Sequence, residues 1–99
     1  MAGKQSRSVK SAGEKGRTRK QLKDHLLTTF ERGFPSSVVD VSDGYKDGIH
    51  IMVVSKAFEK MSANKQQNAM WTVLEDAGLT EDERTLITLL YPVSPADIR

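Results

Sequence analysis

The pattern of hydrophobic and polar positions divides the chain in two. Residues 1–17 contain one branched aliphatic side chain, Val9. That is too little apolar surface to offset the entropy of ordering, so this stretch is predicted to be a flexible tail. From Thr18 onward the apolar positions recur with the periods of folded elements, which sets the domain at 18–99. In TRKQLKDHLLTTFERGF, Leu22, Leu26, Thr29 and Phe30 share one helical face with Leu27 and Phe34 beside it, predicting a first helix at 18–32. Gly33 stands where a helix end favours a residue tolerant of positive φ.

Pro35 blocks continuation of that helix, and SVVDVSD then places Val39 and Val41 on one face and Asp40 on the other, the period of a half-buried strand. Asp43, Gly44, Asp47 and Gly48 mark a turn, after which IHIMVVS is a nearly continuous apolar run suited to a central strand. The short YKD loop between the glycines favours an antiparallel hairpin. Ser62 is placed to cap a second helix, ANKQQNAMWTVLEDAG, in which Met70, Trp71, Leu74 and Ala77 recur at buried spacing and Gly78 marks the end. By that spacing Trp71 belongs to the core. Thr80 and Glu83 form a capping box in TEDE, predicting a short helical turn before a third strand, TLITLLYPV, and Ser94 followed by Pro95 opens a final turn.

The order is therefore α-β-β-α-α-β. Strands on either side of a helix packed on one face of a sheet require a crossover, so the third strand is expected to run parallel to one of the first two. The expected architecture is a two-layer α/β (α+β) sandwich, a three-stranded mixed sheet with helices on one face.

Charge changes this picture at one end. Seven of the fifteen basic residues and one of the thirteen acids fall in the first twenty positions, so the tail is strongly basic and the remainder acidic. Lys4, Arg7, Lys10, Lys15, Arg17, Arg19 and Lys20 are placed to neutralise phosphates non-specifically, and Lys56, Lys60 and Lys65 form a second candidate nucleic-acid patch. A solvated extension explains the tail equally well. The tail is also basic and Ser-containing in the manner of a mitochondrial targeting segment, although its three glycines weigh against an amphipathic helix.

The chain has no cysteine, hence no disulfide, thiolate ligand or thiol nucleophile. No stretch reaches the roughly 20 apolar residues of a membrane span, and a cytoplasmic protein without membrane contact is expected. No nucleophile with an oriented base and no catalytic carboxylate pair can be assembled, so an enzyme is not expected. Glu81, Asp82 and Glu83 complement the dipole of the helix they open. DGYKDG joins two strands and lacks the phosphate-loop pattern, and no GxxG stands between helices to clamp RNA. His25 reads as a helix-face residue. His50 is a weak metal candidate, with no second His, Cys or paired carboxylate at ligand spacing, so no cofactor is expected.

From Val53 to Leu74, VVSKAFEKMSANKQQNAMWTVL resembles the BolA family: a central strand ending in a Val-Ser step (Val54, Ser55), a Phe shortly after it (Phe58), and a Ser opening a helix with an aromatic and a Leu (Ser62, Trp71, Leu74). The last strand, ending at Tyr91 with Pro95 following and Pro92 between them, is similar to the family's closing strand and turn. The resemblance spans most of residues 20–97. It implies a KH-like fold, stress-linked transcription regulation, nucleic-acid binding, and partnership with monothiol glutaredoxins around a shared 2Fe–2S cluster. In this chain the family's His at the start of the last strand falls on Arg84, which cannot ligate a metal, and its basic run on the second helix falls on Gln66 and Asn68. Arg84, Gln66 and Asn68 are thus the candidate partner-binding positions, and a cluster-linked role in iron homeostasis lacks its ligand. The expected function is a BolA-like adaptor that binds a protein partner and, weakly, nucleic acid, with an exposed groove beside the second helix and last strand as its mark. The alternative is a nucleic-acid-binding protein that uses the tail as its main contact.

Overall fold

The computed structural model describes residues 17–98. The tail expectation for residues 1–16, and with it Lys4, Arg7, Lys10 and Lys15, lies outside the described residues. The first helix, α1 (Arg19–Gly33), starts at a reciprocal capping box. Gln21 N–H donates to Thr18 Oγ1 at 3.1 Å, and Thr18 N–H donates to Gln21 Oε1 at 3.0 Å. Leu22, Leu26 and Phe30 face inward. Gly33 does not end α1 in a left-handed turn. A Cβ there would lie 2.8 Å from Val73 Cγ2, so the glycine serves the close approach of α1 to the second helix. The left-handed glycine is Gly78, φ +66°, which closes the second helix as expected.

Strands β1 (Val38–Asp43) and β2 (Ile49–Val54) pair antiparallel, Val39 opposite Val53 and Val41 opposite Ile51. A 3-10 turn at Lys56–Lys60 seats Phe58, fully buried, and leads to α2 (Ala63–Asp76), capped by Ser62. The short α3 (Glu81–Leu86) follows the Thr80 capping box, then β3 (Ile87–Val93). The apolar run starting at Thr85 predicts a strand two residues earlier than observed, because the capping box carries the helix through Thr85 and Leu86.

The sheet order is β1-β2-β3, and β3 runs parallel to β2 with Ile51 opposite Leu90 and Val54 opposite Val93. The pairing slips between Ile49 and His50, leaving Thr88 as the extra residue. This is the expected α-β-β-α-α-β arrangement around a three-stranded mixed sheet. Its core joins Leu22, Leu26 and Phe30 of α1, Met70 and Leu74 of α2, and Ile49, Ile51 and Val53 of β2. Phe34 lies between Phe30, 6.3 Å away, and the edge of Phe58, 5.2 Å away. Among the described residues no helix is long and apolar enough to cross a membrane.

Candidate functional site

Side chains alternate along β2, so Ile49, Ile51 and Val53 are buried while His50, Met52 and Val54 are half-buried on the other side. In β3, Leu89 and Tyr91 stay 44% and 53% exposed. Among the described residues β3 is also an edge strand, with β2 as its one neighbour. Ser55 N–H donates to Val93 O at 3.0 Å, so the backbone of Val93 faces the β2 side, and by alternation that of Leu90 and Pro92 faces the free side. The amide hydrogen that proline lacks would have pointed away from the sheet, which explains why the strand accepts Pro92.

Beside this edge runs α2. Gln67 Nε2 donates to Leu90 O at 3.2 Å, and Trp71 follows one turn later. Gln67, Trp71, Ile87, Thr88, Leu89 and Leu90 line an open groove of about 240 Å³. Trp71 is 45% exposed, which corrects its assignment to the core. Met70 and Leu74 form the buried stripe, and one residue along a helix turns the side chain by roughly 100°, enough to swing Trp71 from that stripe to the β3 edge.

The basic residues at the start of the domain are engaged internally. Arg17, read as the end of the tail, donates from Nη1 to Glu83 Oε1 at 2.8 Å and from its backbone N–H to Oε2 at 3.4 Å. Thr80 N–H donates to the same carboxylate at 3.0 Å. Burial of Glu83 works to raise its pKa, but the Thr80 and Arg17 N–H groups and the guanidinium outweigh it and hold the carboxyl below its ordinary value. Arg19 donates from Nε to Asp43 at 3.0 Å, from Nη1 to Asp47 O at 2.7 Å and from Nη2 to Gly48 O at 2.8 Å. It thereby clamps a hairpin loop in which Lys46 and Asp47 both adopt positive φ. Lys23 also reaches Asp43 at 3.1 Å, and its hydrogen bond, with that of Arg19, holds this carboxyl below the usual range. Lys20 pairs with Asp24 on the exposed face of α1.

Lys56, Lys60 and Lys65 are exposed around the 3-10 turn and the start of α2. Arg84 and Asn68 are exposed as well, on α3 and α2. Gln66 is not free: its Nε2 donates to Phe58 O at 2.9 Å and Met61 O at 3.3 Å, holding the 3-10 turn against α2. His50 is half-buried and lies against Gly44, where a Cβ would overlap its ring. Among the described residues no three His, Cys, Asp or Glu side chains come together to hold a metal. His25 Nε2 donates to Ala77 O at 2.7 Å, tying α1 to the end of α2. The structure thus shows a groove beside the second helix and last strand, where the adaptor reading expected one, and adds what the residue-by-residue reading missed, the exposure of Trp71 at the strand edge. Its signal in the sequence was Pro92, which marks β3 as an edge.

No family model matches the chain, nor does any curated protein or solved structure with which it was compared.

Proposed function

We propose that the chain is a BolA-like adaptor that acts by binding a protein partner in the groove between α2 and β3, with weaker nucleic-acid contact through its basic tail. The observation that carries this reading is the exposure of Trp71, Leu89 and Tyr91 around an unpaired strand edge. Large aromatic side chains left in water beside free backbone groups contribute little to folding and much to docking. Entry of β3 into the same sheet as β1 and β2 supports the family resemblance, and the groove lies where that resemblance leads one to look. A monothiol glutaredoxin is the partner class it implies. With Arg84 in place of the family's His and no cysteine in the chain, the partner would supply the ligands of any shared cluster.

Trp71 is the only tryptophan, so its fluorescence reports on the groove directly. Titration with a monothiol glutaredoxin is expected to shift its emission to the blue and saturate. An unchanged spectrum, with no heat of binding, would remove this partner.

The second reading, a nucleic-acid-binding protein, is favoured by the exposure of Lys56, Lys60 and Lys65 around the start of α2. Fluorescence anisotropy with a DNA duplex and a single-stranded RNA at two salt concentrations tests it. The comparison chain should begin at Arg17, which keeps the Thr18 cap and the Arg17 and Arg19 contacts. Binding that falls with salt and vanishes in the shortened chain assigns the contact to the tail. Binding retained without residues 1–16 assigns it to the lysines.

A further inference from the structure

The free edge of β3 carries no charged side chain over its whole length, ITLLYPV. Edge strands are ordinarily blunted by lysines or inward-pointing charges, and here Pro92 is the single obstacle. The charges lie instead at the two ends of the groove. Because α2 follows β2, it starts at the end of the sheet where β2 and β3 finish, and it ends where α3 leads into β3. Lys60 and Lys65 therefore stand at the C-terminal end of β3. Glu75, Glu81 and Asp82 stand at its N-terminal end, while Asp76 beside them turns into the cleft with His25 and Arg32 of α1. The five charges at the two ends are exposed, and among the described residues none takes part in an ion pair. Glu59 at the first end and Arg84 at the second are the minority charges.

We infer that this edge pairs with a second copy of the chain, β3 antiparallel to β3, to give a continuous six-stranded sheet. The inference rests on the reading of the groove as a docking surface and names its occupant. A two-fold axis inverts the direction of the groove, so the basic end of one copy meets the acidic end of the other, twice. The strand's length fixes the register. Leu90 is the midpoint of Ile87–Val93 and faces the free side, so it lies opposite the partner's Leu90, each N–H donating to the other's carbonyl. That carbonyl has two lone pairs and keeps its bond from Gln67. The two α2 helices then lie antiparallel with Trp71 enclosed between the copies. An extended segment of a different protein would need no such polarity.

Sedimentation velocity of the full chain over two decades of concentration tests this, read together with Trp71 emission. A monomer–dimer equilibrium is expected on the order of 10 µM, as suits a small interface, with emission moving to the blue as dimer forms. Glu75→Lys and Lys65→Glu are each expected to weaken it about tenfold, since each places like charges together at two symmetry-related points. The chain carrying both substitutions regains the dimer. Both positions are exposed, and circular dichroism verifies that each variant is folded. A chain monomeric throughout overturns the inference, as does a dimer indifferent to the single reversals or one not restored by their combination. A monomer that still shifts its Trp71 emission on adding glutaredoxin overturns the dimer and leaves the partner reading standing. A dimer that binds no glutaredoxin does the reverse.

Discussion

The two faces of the sheet are built from the same strands and follow opposite rules. Toward the helices β2 presents Ile49, Ile51 and Val53, all with no solvent exposure, against Leu22, Leu26, Phe30 and Met70. Away from them, and along β3, Met52, Val54, Leu89 and Tyr91 stay partly or largely in water. Apolar surface on the first face is removed from water by folding at about 25 cal/mol per Å², whereas on the second much of it stays in water. On the proposed function, the contrast separates residues that decide whether the chain folds from residues that decide what it meets.

The largest test of that contrast falls on the covered face. Phe58→Ala removes a fully buried ring packed on Phe34 and opens a cavity below the 3-10 turn that Gln66 holds in place. It is expected to cost about 3–5 kcal/mol in urea unfolding. Binding through the groove, measured per folded molecule, should be unchanged. A cost below about 1 kcal/mol would mean that the core closes over the gap and that the faces differ less than their burial indicates.

A middle-sized effect sits where the tail joins the domain. Glu83→Ala removes the capping partner of Thr80 and the acceptor of Arg17, and should cost about 1–2 kcal/mol at neutral pH. The folded carboxyl titrates below its ordinary value of 4.5, so its contribution is complete above that value and is lost as pH falls through the lower folded one. Stability of the native chain should therefore fall on acidification below about pH 4.5, and Glu83→Gln should flatten that limb. Chemical denaturation at a series of pH values from neutral to acid measures both. An acid limb identical in the two chains would exclude Glu83 as its source.

These elements were not equally legible in the sequence. Element order, the hairpin, the parallel third strand and the Ser62 and Thr80 caps followed from periodicity and capping residues, whereas Thr18, with its capping box, reads as the first residue of the helix it caps. What depended on tertiary approach was not readable. Gly33 resembles a helix terminator until Val73 is placed against it. Arg17 and Arg19 read as tail cations because their acceptors, Glu83 and the Asp43–Gly48 loop, are far away in sequence. Trp71 misled for another reason: one step around a helix separates core from surface, and an aromatic beside Met70 satisfies either reading until the neighbouring strand is known to be an edge.

The smallest effect on stability is expected where the effect on association is greatest. Leu89→Ser combined with Tyr91→Ser replaces two side chains that are half in water already, on a strand whose β2 pairing uses backbone groups alone. Surface substitutions of this kind shift unfolding by about 0.5 kcal/mol each, so the thermal midpoint should move by only a few degrees. The same change removes two of the three exposed large apolar side chains around the β3 edge and leaves Trp71 as the reporter. Concentration-dependent and partner-dependent shifts of its emission should both weaken by tenfold or more. If stability fell by several kcal/mol instead, these residues would belong to the fold. If stability and association both stayed unchanged, the docking surface would have to lie elsewhere, and the covered and open faces would differ in burial without differing in purpose.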